Sequence, residues 1–96
     1  MFKITGEART YLLKVIEAER QVPEEELFLR LSMGIGWGVP KLNLSLEEQK
    51  IKGDRTFDFD SLIIIINEKE YDYFNQFKLD YREVAQGKNR FQLIKI

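Results

Sequence analysis

The sequence has no cysteine and no histidine. Without them the chain has no disulfide, no thiolate nucleophile, no imidazole base, and none of the soft ligands that zinc, copper or iron–sulfur clusters require. Long apolar runs are missing as well. The longest, Leu62 to Ile66, is strand-length, far below the ~20 apolar residues of a membrane-spanning helix. The opening MFKITGEART lacks the apolar run of a signal peptide, so a cytoplasmic protein without membrane contact is expected. Charge of one sign is also lacking: 15 basic residues face 16 acidic ones, leaving no broad field to attract nucleic acid.

What remains suits a single domain over residues 1–96, of a size that buries roughly two-thirds of its unfolded surface. Seven Phe, four Tyr and one Trp supply much of its core, so no covalent or metal staple is needed. Thr5 is placed to cap a helix running to about Arg20, with Ala8, Leu12, Val15 and Ile16 forming an apolar stripe that fades by Glu19. QVPEEE ends it at Pro23, and the chain then reads mostly as β.

LFLRLSM sets Leu27, Leu29, Leu31 and Met33 against Phe28, Arg30 and Ser32, and KLNLSLE sets Leu42, Leu44 and Leu46 against Lys41, Asn43, Ser45 and Glu47. Both predict half-buried strands. EQKIKGDR is a polar turn region, TFDFD alternates Phe57 and Phe59 with acids, and SLIIIIN predicts a central strand buried on both faces and covered by the helix. EKEYDYFNQF predicts a short helix or turn, while KLDYREV and RFQLIKI are strands joined by a turn at AQGKN. The fold class is α+β, mainly β: an N-terminal helix packed on a small β-sandwich or meander of about six short strands.

The most unusual stretch is MGIGWGVP, where Gly34, Gly36, Gly38 and Pro40 surround the single tryptophan, Trp37. It predicts an irregular, tight loop between two strands, its glycines allowing positive φ or close chain approach. It is no phosphate cradle, because a strand pattern follows it rather than a helix N-terminus. Asp54, Asp58 and Asp60 are read as solvent-facing acids on a half-buried strand rather than a calcium loop, which would need glycine and a bidentate glutamate. Tyr71, Tyr73, Phe74, Phe77 and Tyr81 lie near Lys78 and Arg82, but without a basic stripe they are read as core rather than as base-stacking platforms.

Three patterns in this order resemble the HesB/IscA/SufA family of A-type iron–sulfur cluster assembly proteins. FKITGEARTYLLKVIEAE is similar to that family's capped first helix. LFLRLSMGIGWGVPKLNLSLEE resembles its central signature, a strand, a glycine-rich loop carrying a cysteine, and an alternating strand ending in acids. Trp37, Gly38, Val39 and Pro40 match one branch's Cys-Gly-X-Pro order with Trp in the cysteine's place. FDFDSLIIIINEKEYDYFNQFKLDYREV resembles the aromatic–acid strand, the buried aliphatic strand and the "IDY" strand, here Leu79, Asp80 and Tyr81, and NRFQLIKI resembles the strand before the family's C-terminal cysteine pair.

The resemblance implies a HesB-like domain whose relatives hold iron or a [2Fe–2S] or [4Fe–4S] cluster through the loop cysteine and a C-terminal Cys-Gly-Cys, usually across a dimer. This sequence has none of these thiols. It is therefore expected to bind no cofactor or metal, to have no catalytic residue, and to act as an interaction or assembly domain with a protein partner or as a homodimer. Gly34, Gly36, Trp37, Gly38 and Pro40 form its degenerate ligand loop, with Trp37 either filling the vacated position or offering a contact to another chain. The alternative from the residues alone is a small enzyme or metal-binding domain using carboxylates and tyrosine.

Overall fold

The computed structural model describes residues 1–36, 39–84 and 88–96, with only the backbone at 35, 36, 39, 40, 83, 84 and 88–90. Trp37, Gly38 and the centre of the expected AQGKN turn, including Gly87, lie outside the described residues. The elements run β1 (Lys3–Ile4), α1 (Gly6–Glu19), β2 (Phe28–Gly36), β3 (Val39–Glu47), β4 (Asp54–Phe59), β5 (Leu62–Asn67), α2 (Glu68–Phe74), β6 (Phe77–Val84) and β7 (Lys88–Lys95).

Helix α1 begins where its cap predicts. Thr5 is extended, and its Oγ1 accepts the Ala8 amide at 3.3 Å. At the other end the Arg20 amide donates to the Ile16 carbonyl and the chain turns extended ahead of Pro23. Ala8, Leu12 and Ile16 are buried along one face, while Val15 is only half-buried. The helix packs on strands of two sheets. One has the order β1-β6-β7, with β1 parallel to β6; the other has the order β3-β2-β5-β4, with β2 parallel to β5. All other pairings are antiparallel. This is the expected mainly-β α+β architecture, with the two-residue β1 added to six longer strands.

One apolar cluster links the layers: Phe2, Ala8, Leu12 and Ile16 meet Leu29, Leu31, Leu62, Ile64, Ile66, Phe74, Leu79 and Tyr81. Phe2 is its hub, fully buried with edge-on contacts at about 6 Å to Phe57, Phe59 and Phe74. Strand β5 is central and buried on both faces, since Ile65, register partner of Arg30 and Thr56, is as buried as Ile64 and Ile66 but faces away from the cluster. Phe28 shares that opposite face and is also buried, beneath Lys50, whose Nζ lies 5.5 Å from the ring centroid.

The β4–β5 connection is a two-residue hairpin whose central residues, Asp60 and Ser61, both have positive φ, which matches the right-handed strand twist. Asp58 Oδ1 accepts the Ser61 amide at 3.0 Å. Arg9 of α1 fastens this turn by donating from Nε to the Phe59 carbonyl and from Nη2 to the Asp60 carbonyl. The aromatic set divides. Phe74 and Tyr81 are buried, Tyr71 stacks on Phe57 beneath the Arg55 guanidinium, and Tyr73 is 41% exposed.

Candidate functional site

The glycine-rich stretch lies at the end of the β2–β3 hairpin. Unbroken pairing runs from Phe28↔Glu47 through Gly34↔Lys41 and Ile35↔Pro40 to Gly36↔Val39. Gly34, Gly36 and Pro40, expected in an irregular loop, are therefore strand residues. The backbone register explains how proline is tolerated. Odd-numbered β3 residues face their β2 partners, so the even ones, Pro40 included, direct their amide positions to the open edge of the sheet, where a missing N–H breaks no ladder bond. The Met33 amide confirms this parity: it points away from β3 and donates to Glu70 Oε2 of α2 at 2.6 Å. A Cβ at Gly34 would lie 2.6 Å from Asn43 Nδ2, the end of an exposed side chain that can turn aside.

Two polar clusters lie elsewhere, and the strand alternation did not reveal either. Asp54, expected in solvent, is half-buried, with its side chain only 1% exposed. Arg30 grips it in a bidentate pair, Nη1 to Oδ1 at 2.9 Å and Nη2 to Oδ2 at 2.6 Å. The Ile51 amide and Asn67 Nδ2 add further donors, and Arg30 Nε reaches Glu47 Oε1 at 2.8 Å. The Arg30 hydrogen bonds dominate the opposing cost of burial and lower the Asp54 pKa to about 2, while Asp54 pushes the Arg30 guanidinium further above its ordinary range. Alternation put both residues on the outer face correctly. It gave no sign that they would meet across β5 and exclude water.

The second cluster centres on Asp80, which is buried in β6. Thr5 donates its hydroxyl to Asp80 Oδ1 at 2.8 Å while capping α1, and Gln92 Nε2 donates to Oδ2 at 3.2 Å. The Thr5 bond is the first cause holding the Asp80 carboxyl below its ordinary range, with Gln92, the Tyr81 amide and Arg82 assisting against burial. Beside it, Tyr11 stacks on Tyr81 at 4.1 Å, and an open recess of about 510 Å³ runs along α1 between Glu7, Thr10, Lys14 and these rings.

These acids are committed to internal partners. Among the described residues no group of three or more Asp or Glu is placed to hold a metal ion, and no helix is long and apolar enough to cross a membrane. A scan against models of protein families finds no match, and neither does a search of the curated proteins. Solved structures do match. Escherichia coli SufA, involved in the biosynthesis of iron–sulfur clusters, superposes with a TM-score of 0.81 at 13% identity, covering 98% of this chain and 84% of SufA. IscA with its [2Fe–2S] cluster gives 0.73 at 19% identity over 99% and 82%, and a protein from Aquifex aeolicus gives 0.76 at 23% identity over 99% and 91%.

The chain has the A-type iron–sulfur assembly fold. The similarity extends along nearly its whole length, in agreement with the order of elements that the sequence resemblance implied. The chemistry differs from that fold's cluster-bearing example. Iron–sulfur clusters are held by thiolates, and the 96 residues contain none. The donors present are carboxylates, hydroxyls and amides, which suit harder ions, so the residues of this chain do not fit a cluster.

Proposed function

We propose that this chain is a non-cluster-binding interaction or assembly domain built on the A-type fold, acting in the cytoplasm and without enzymatic activity. The observation that carries the reading is the full-length A-type architecture in a sequence without a thiol, with Trp37 where the sequence resemblance expects the loop cysteine. The internal commitment of Asp54 and Asp80 supports it further, since two of the best-buried acids stabilise the fold and are not left open to a substrate. Anaerobic incubation with ferrous iron and sulfide, followed by desalting and visible absorption, tests the proposal. It expects no charge-transfer bands, and stoichiometric cluster uptake would overturn it.

A further inference from the structure

Sheet edges are templates for pairing, and folded proteins usually blunt them with bulges, charged residues, proline or short strands. Strand β3 carries such residues only towards its ends, Pro40, Lys41 and Glu47, and none from Leu42 to Leu46. It is nine residues long, pairs with β2 without a bulge, and among the described residues has no strand on its other side. Its even residues turn the backbone amide and carbonyl groups of Leu42, Leu44 and Leu46 to that open edge. On the inner face these leucines are half-buried, extending the core to the rim, while Lys41, Asn43 and Ser45 are exposed on the outer face.

We propose that the open edge of β3 pairs antiparallel with β3 of a second copy of this chain, about a twofold axis at Leu44. The inference rests on the interaction-domain reading and names the partner. In this register Leu44 faces Leu44, Leu42 faces Leu46, Asn43 faces Ser45, and Lys41 faces Glu47 at both ends. Every leucine stays on the inner face, and every charge meets its opposite. A one-residue slip would oppose leucines to polar residues from the other face. Glu47 can serve both partners, because Arg30 uses only its Oε1. The ladder ends at Pro40, which has no N–H to extend it.

The other long edges do not share this complementarity. Strand β4 paired with itself about Thr56 would set Asp54 against Asp58, and all the charged residues of β7, Lys88, Arg90 and Lys95, are cationic. The joined β3 strands would make one continuous eight-stranded sheet from two four-stranded ones.

The absence of native cysteine makes the test clean, since a single introduced thiol has no competitor. In the proposed register the Leu44 Cα atoms lie about 5.5 Å apart, inside the disulfide window of about 4.4–6.8 Å. Lys41 is offset from its symmetry mate by six residues, about 20 Å along the strands. Mild oxidation should cross-link Leu44→Cys about tenfold or more faster than Lys41→Cys, as a templated rather than collisional reaction. Sedimentation should show a concentration-dependent dimer for the unmodified chain and a monomer for Lys41→Glu, whose melting temperature should match that of the unmodified chain diluted to monomer. Equal cross-linking rates, a monomeric unmodified chain, or an undisturbed Lys41→Glu dimer would each overturn the inference. None of these outcomes depends on cluster uptake, so the two proposals fail separately.

Discussion

Replacing Asp54 with asparagine keeps the shape of the side chain while removing its charge and one of the two oxygens that Arg30 grips. In the folded state this carboxyl titrates at about 2, against an ordinary value of 3.8. At about 1.4 kcal/mol per pH unit, that difference is worth about 2 kcal/mol of folding stability. Because the folded pKa is the lower one, the contribution is complete above the ordinary value, declines as pH falls from about 4 to about 2, and is gone below both. The cost of Asp54→Asn in urea unfolding should therefore be about 2 kcal/mol larger at neutral pH than at about pH 2. Subtracting the variant's pH profile from that of the unmodified chain isolates Asp54 from Asp80, which also titrates low. The bidentate geometry and the 1% exposure of the Asp54 side chain are the reasons to expect more than the ~0–1 kcal/mol of a surface pair. An equal cost at both pH values, or none at neutral pH, would refute the reasoning.

Three further perturbations follow from the packing. Phe2→Ala removes the hub shared by Phe57, Phe59 and Phe74 and should cost about 3–5 kcal/mol in denaturant unfolding. Thr5→Ala removes the α1 cap, a loss of about 1 kcal/mol, and should raise the Asp80 pKa, which carboxyl NMR titration reads directly. Gly34→Ala should cost less than about 1 kcal/mol in denaturant unfolding, with a coupling to Asn43→Ala of no more than about 0.5 kcal/mol in a double-mutant cycle, because the added methyl meets only the movable end of the exposed Asn43 side chain.

The parts of this fold that were legible in the sequence are those written in periodicity and capping chemistry. Thr5, the Ala8–Leu12–Ile16 stripe, the alternating leucines of β2 and β3 and the run of β5 all formed the elements their patterns imply. The glycine run was the main misreading of local structure. Gly and Pro are read as breakers, yet Gly34, Gly36 and Pro40 sit in paired strands, where Pro40 is tolerated because it directs its missing donor to an open edge.

Asp54 shows a different limit. Alternation reports which face a side chain occupies and not what covers that face, and Arg30 comes from a strand 24 residues away. Asp60 and Ser61 were read as strand acid and strand start, but a two-residue turn with positive φ at both positions uses them instead. The resemblance to cluster-assembly proteins was legible as an order of elements, with sequence identity of 13–23% to solved structures that share the fold.

The central claim is that an A-type fold persists here without the chemistry of a cluster. Iron and sulfide bound per chain, measured after anaerobic reconstitution and removal of excess reagent, tests it most directly. Far less than one iron per chain and a featureless visible spectrum are expected, as a sequence without thiolates requires. Iron and acid-labile sulfide retained in equal, stoichiometric amounts would contradict it.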